Sequence, residues 1–381
     1  MERDLVREDI AHASPIWVIK IGTSVLAAPD GTLDEGRVAR LTDQIAAVLD
    51  AGKRVALVSS GAVGAGIGRL GLSRRPTDLR TLQAAAAAGQ AYLIRAYDDA
   101  FRAHGRNTAQ LLLTRSDFDD RSRYLNVRNT LLTLFEYRTV PIINENDTVS
   151  VEEIRFGDND YLAAQVTNLL CAPLLLILSV VDGVLSSGSP SGEDPPEPIR
   201  VIRDIDEAIS RHVSSSRSAL GSGGMKSKLE AARLVTRAGG SVIIGSGRRE
   251  DTIRQVLEGR PVGTLIPPLG ATQQARRRWI GSTARPRGWL VVDDGARIAL
   301  ETGRGSLLAI GMVEVYGKFS KGDVVGIRDR GGEEFARGLS NYSGDDARKI
   351  RGLRTDQIAS SLGIAPYDEV IHRDNLVVVS G

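Results

Sequence analysis

Six short runs constrain this chain most: WVIKIG at 17–22, RVALVSS at 54–60, TAQLLLT at 108–114, TVPIIN at 139–144, LLLILS at 174–179 and SVIIGS at 241–246. None shows the strict apolar–polar alternation of a strand with one wet face. Between them stand helix-length segments at about 34–51, 78–104, 121–137, 159–171 and 225–239. The second contains LQAAAAAGQAYLIRAYDDAFRAH, rich in strong helix formers. Strands buried on both faces and alternating with helices predict an α/β, three-layer sandwich with a mostly parallel central sheet. Ligands of such folds sit outside the carboxyl ends of the strands.

The pattern breaks after GTLIPPL at 263–269. Beyond it helical stretches are few, glycines are frequent, and short β-like runs recur: GWLVVDD, SLLAIGMVEVYG, DVVGIRD, NLVVVS. The boundaries expected are a first domain over 12–266, a linker over 267–275 and a small β-rich domain over 276–381. SSGSPSGEDPPEPI at 186–199 reads as a polar surface excursion. Aromatics make up only 4% of the 381 residues, so the cores must be mostly aliphatic. A net charge of +2 gives no reason to expect a nucleic-acid binder. One cysteine, Cys171, excludes an internal disulfide framework and fits a reducing compartment. The charged start, MERDLVREDI, does not resemble a signal peptide, and the longest apolar run, APLLLILSVV, is too short to span a membrane. A cytoplasmic protein without a membrane partner is expected.

Four strand ends carry polar or glycine-containing loops: IKIGTSVL, VSSGAVGAG, the acid- and amide-rich INENDTVSVEEIRFGDND, and GSGGMKSKLEAA opening a helix. Glycine lets backbone N–H groups approach phosphate oxygens, a helix N-terminus adds a favourable dipole, and lysine supplies a compact charge. Two standard phosphate motifs fail. GIGRLG at 66–71 begins too far past its strand and lacks an acid about 20 residues on, and no G-x-x-x-x-G-K-[ST] occurs. The four histidines, His12, His104, His212 and His372, lie outside all four loops. Chemistry here must therefore run on lysines, carboxylates, amides and backbone N–H groups. Phosphoryl transfer is such a chemistry, because positioning and charge stabilisation carry it. A carboxylate acceptor, already ionised at neutral pH, would need no general base.

K-x-GTSVL, VSSGAV, INEND-x-V, FGDND and GGM-x-x-K-x-x-AA, in this order, resemble the amino-acid kinase family, and within it the members that phosphorylate the glutamate side chain. The tail, RRRWI…VDDGA…GDVV…ARGLSNYS…ARKI, resembles a PUA domain. Together the two cover nearly the whole chain. The resemblance implies ATP-dependent phosphorylation of L-glutamate to L-glutamyl 5-phosphate, the first step of proline biosynthesis. It implies proline as feedback inhibitor, a homo-oligomer and a possible hand-off to glutamyl-phosphate reductase. Magnesium is expected to arrive with ATP, with no protein ligand assigned.

Site residues follow from the same resemblance. Lys20 and Lys228 are cations on the transferring phosphoryl group, and Asp160 organises both. Read by itself, Lys20 could be a snorkelling lysine, Lys228 a solvated helical one, and Asp160 a helix N-cap. Asp147 meets the substrate ammonium, Asn159 and Ser60 donate to its carboxylates, and Asn144 stands near the ammonium end. Glu152 and Glu153 read as a solvated hairpin. The nucleotide side comprises Lys20, Gly22, Thr23, Ser179, Val180, Asp182, Ser222, Gly223, Gly224, Met225, Lys226, Ser227 and Lys228, with Lys226 more a surface charge than a ligand. Val180 departs from the family, which usually has an acid there; Asp182 could take over its contact, or the backbone alone could suffice. Rival readings are a kinase for acetylglutamate or aspartate, and an RNA-binding regulatory protein with a degenerate kinase core. RNA binding by the tail is not favoured. Residues 276–381 hold 17 basic and 14 acidic residues, and the excess comes largely from Arg276, Arg277 and Arg278. The tail's aromatics, Trp279, Trp289, Tyr316, Phe319, Phe335, Tyr342 and Tyr367, read as core, and the domain as a tuner of regulation or assembly.

Overall fold

The computed structural model describes residues 4–149, 158–186, 197–214, 222–269, 280–281, 284–302, 305–363 and 367–379. Glu152, Glu153, Arg276, Arg277, Arg278, Trp279 and most of the 186–199 excursion lie outside the described residues. The chain divides into two compact units, 1–272 and 273–381.

Seven strands form the sheet of the first unit: β1 (Ile16–Ile21), β2 (Arg54–Ser59), β3 (Asn107–Leu113), β4 (Thr139–Glu145), β5 (Leu174–Ser179), β6 (Ser241–Ser246) and β7 (Thr264–Ile266). Their order is β3-β4-β2-β1-β5-β6-β7. The first six strands pair in parallel, and β7 closes the sheet antiparallel to β6. Its three residues lie in GTLIPPL, too short a run to read as a strand, and it covers an edge that would otherwise expose unpaired backbone groups. The six strands expected from the apolar runs fall within a residue or so of their places.

Side-chain alternation along β1 decides what the sheet can do. Trp17, Ile19 and Ile21 point into a core shared with helices α3 (Glu35–Asp50) and α5 (Leu79–Arg102), where Leu41, Ile45, Leu93 and Tyr97 are buried. Lys20, one residue out of phase, faces the other side, which α8 (Asp158–Leu170) covers. Alongside α8 runs α10 (Ser222–Arg237), the helix that carries Lys228. The glycines before Met225 are not a loop leading into that helix. It begins at Ser222, so Gly223 and Gly224 occupy its first turn, where N–H groups have no intrahelical partner.

The second unit holds a five-stranded sheet of order β12-β11-β10-β8-β9, from β8 (Gly288–Val292), β9 (Met312–Gly317), β10 (Val324–Arg328), β11 (Glu334–Leu339) and β12 (Leu376–Val378). Helices at Asp294–Glu301, Gly344–Ile350 and Thr355–Leu362 accompany it. The expectation of an all-core aromatic set fails here. Phe319, Phe335 and Tyr342 are buried, but Tyr316 is half exposed, because it points outward from β9, paired on one side only. The Arg328 guanidinium lies over Trp289, 3.6 Å from the ring centroid. No helix among the described residues is long and apolar enough to cross a membrane.

Candidate active site

At the carboxyl ends of β1, β2, β4 and β5 the polar loops converge. Lys20 is 5% exposed and Asp160 1%. Their charges pair at 2.5 Å through Asp160 Oδ1, and Lys228 Nζ reaches Oδ2 at 3.0 Å. Ser227 Oγ donates to the same Oδ2 at 2.7 Å. Asp160 lies two residues inside α8, past the N-cap position, and its side chain turns to the lysines. Lys228 also donates to Gly224 O at 2.9 Å, which folds its ammonium back over the start of α10.

The electrostatics are those of a buried triad. Burial pushes the Asp160 carboxyl up, but Lys20, Lys228 and Ser227 together hold it below the ordinary aspartate range. Burial lowers Lys20; Asp160 opposes this and Lys228 adds to it, and the net effect is downward. Gly22 sits against this centre: a Cβ there would stand 3.5 Å from Lys20 Nζ and from Leu178 O. Thr23 follows it as the first residue of α2 (Thr23–Leu26). Both Asp160 oxygens are taken by cations and a hydroxyl, so the centre is built to meet anions rather than to cage a metal ion.

Lys226 is not part of the centre. About 200° around α10 from Lys228, it pairs with Glu230 at 3.8 Å and is 49% exposed. Ser179 is half-buried at the end of β5, and its carbonyl accepts from Gly247 N at 2.7 Å. Val180 is exposed. Asp182 is gripped by Arg249, with Nε at 2.7 Å from one carboxylate oxygen and a second nitrogen on the other. Arg249 was not expected from the sequence.

A second cluster joins four amide or hydroxyl side chains. Asn159 Nδ2 donates to Ser60 Oγ at 2.8 Å and to Asn144 Oδ1 at 3.0 Å. Asn144 Nδ2 donates to Gln90 Oε1 at 2.8 Å. Asp147 is half-buried in the turn after β4, which is tied down by Asn146 N donating to Leu113 O at 2.8 Å. At the ends of β3 and β4 a cavity of about 20 Å³, room for a single water, is lined by Arg115, Glu145, Tyr161 and Gln165 among others. The Arg115 guanidinium lies 4.7 Å from the Tyr161 ring centre. None of these four, nor Gln90, was picked out by sequence reasoning. The i,i+4 pair Tyr161 and Gln165, and a lone glutamine after a run of alanines, were the available signals.

The amino acid kinase family model matches residues 15–246, and the PUA domain model matches 288–362. The chain belongs to the amino acid kinase family. A glutamate 5-kinase from Rhodopirellula baltica is 45% identical over 98% of this chain and 96% of its own length. A glutamate 5-kinase from Pseudomonas entomophila is 46% identical over 95% of this chain and 97% of its own. Among solved structures, the carbamate kinase from Giardia lamblia bound to AMP-PNP is similar at a TM-score of 0.48, with 20% identity, 67% of this chain and 99% of that one covered.

Proposed function

We propose that this chain transfers the γ-phosphoryl group of ATP to the side-chain carboxylate of L-glutamate, giving L-glutamyl 5-phosphate and ADP, the first step of proline biosynthesis. The observation that carries the reading is the pair of ammonium groups held on one buried carboxylate at the strand ends. The glutamate 5-kinases that match nearly the full length of the chain support the choice of acceptor. Lys20 and Lys228 face the phosphoryl group from two elements and offset its charge as it passes between oxygens. Asp160 sets the separation of the two cations. The acceptor attacks as a carboxylate, and no proton has to move.

Gly22, Thr23, Ser179 and the first turn of α10, from Ser222 to Met225, form the nucleotide side. Magnesium arrives with ATP and keeps water ligands. Asp147, Asn144, Asn159 and Ser60 form the cradle for glutamate, with Asp147 at the ammonium. Proline as feedback inhibitor, a homo-oligomer and hand-off to a reductase belong to the same proposal, as does a regulatory role for residues 276–381.

Hydroxylamine trapping of the acyl phosphate, with glutamate, aspartate and acetylglutamate side by side, tests the reaction. Glutamate should give the product and the other two little. Asp147→Asn and Asn159→Ala should raise the glutamate KM on the order of 30-fold, the effect of breaking a desolvated charged contact, with the ATP KM little changed. Equal damage to both substrates would sink the cradle.

Asp182 carries the nucleotide contact that Val180 cannot make, with Arg249 holding its carboxylate. Asp182→Asn should raise the ATP KM by up to about fivefold, as for a half-exposed ion pair. Val180→Asp should be neutral or helpful. An unchanged ATP KM in Asp182→Asn would refute the transfer of role.

A further inference from the structure

We propose that Gln90, on α5, is a positioning residue that holds Asn144, and through it Asn159, in the place the cradle needs to meet its substrate. This rests on reading the cradle as a glutamate site.

Amide oxygens and nitrogens are assigned by their partners, and here one partner is unambiguous. The backbone N–H of Glu145 can only donate, and it points at Asn144 Oδ1 at 2.9 Å. That end of Asn144 is therefore the oxygen, and its other end is the NH2 group that donates to Gln90 Oε1 at 2.8 Å. Asn159 must then offer nitrogen to Asn144 Oδ1, and the same nitrogen donates to Ser60 Oγ. Both of its hydrogens are spent inside the protein.

Two consequences follow for a ligand. Asn159 Oδ1 is buried and has no hydrogen-bond partner among the described residues. It is an acceptor, suited to an ammonium and not to a carboxylate. Ser60 accepts from Asn159 and keeps its own O–H to donate to a carboxylate. Asn159 thus joins Asp147 at the ammonium end, which revises the donor role given by the sequence.

Gln90 is the end of this chain of bonds, and α5 is pinned where Gln90 must stand. A Cβ on the neighbouring Gly89 would lie 2.0 Å from Ala62 O, and one on Gly66 would lie 1.7 Å from Ala85 O. The two helices, α5 and α4 (Ala62–Arg69), therefore touch backbone to backbone. Two turns along α5, Tyr97 OH meets Ser59 Oγ at 2.9 Å, beside Ser60. With its acceptor gone, the Asn144 NH2 group is left without a partner, and the side chain, with Asn159 bonded to it, loses one of the contacts that hold it in place.

The test measures KM for L-glutamate and ATP in wild type, Gln90→Glu, Gln90→Met and Gln90→Ala, with glutarate as a competitive inhibitor that lacks the ammonium. Gln90→Met and Gln90→Ala should raise the glutamate KM about tenfold, the effect of one buried hydrogen bond left unmade, with kcat and the ATP KM within about twofold. Gln90→Glu, which keeps acceptor oxygens, should restore the glutamate KM to within about threefold of wild type. Glutarate inhibition should shift by less than about twofold in every variant, since its contacts avoid the ammonium end. Equal KM values in all four proteins, equal damage in Gln90→Glu and Gln90→Met, or an equal loss for glutarate would each overturn the inference. A wild type that makes no glutamyl phosphate would overturn the functional reading itself.

Discussion

Lys20→Met and Lys228→Met should each lower kcat on the order of 10²–10³-fold while shifting KM far less, because the charge counts most where the phosphoryl group is in transit. Both ammonium groups sit on Asp160, at 2.5 and 3.0 Å, so neither can replace the other without moving. Methionine keeps the length and apolar stem of the side chain and removes only the charge. Lys226→Met should stay within about twofold of wild type, since its ion pair with Glu230 is exposed. Steady-state kinetics on the three variants decides the matter. A dead Lys226→Met beside a healthy Lys228→Met would mean that α10 presents the other face.

Asp160→Asn should damage stability and catalysis together. It leaves Lys20 buried beside Lys228 with no counter-charge, and breaking a buried ion pair from one side costs about 3–5 kcal/mol. Lys20, already lowered by burial, should fall further. The loss of kcat should be at least as large as for either lysine, since both cations lose their anchor. The pH dependence has a definite sign. Asp160 has a folded-state value below the ordinary 3.8, so its contribution is complete above that value and is lost as pH falls through the folded one. Denaturant unfolding should therefore show a wide gap between wild type and Asp160→Asn at neutral pH, narrowing in acid. A gap that does not change with pH would show that Asp160 is not ionised in the fold.

Asp160 and the two asparagines Asn144 and Asn159 serve two distinct purposes. Asp160 neutralises two cations inside the protein. Asn144 and Asn159 hold each other, with Ser60 and Gln90, in one hydrogen-bond direction. A cluster with this much carboxylate would repel an anionic substrate, and the buried lysines offset it.

The sequence by itself determined the layers and the place of the site. Apolar runs without alternation can only be strands covered on both sides, and polar loops after such strands collect at one edge of a parallel sheet. Lys20 was legible because a charge in WVIKIG is costly to bury without a reason, and Lys228 through its register after Met225. Tertiary structure alone decided the rest. Gln90 is 54 residues from Asn144, and Arg249 is 67 from Asp182. No local pattern links such pairs, because they meet only when helices and strands far apart in the chain pack side by side. The direction of the amide bonds was likewise invisible in the residue types, since an asparagine can give or accept. It was fixed by a single backbone N–H, that of Glu145, which the fold of β4 points at Asn144.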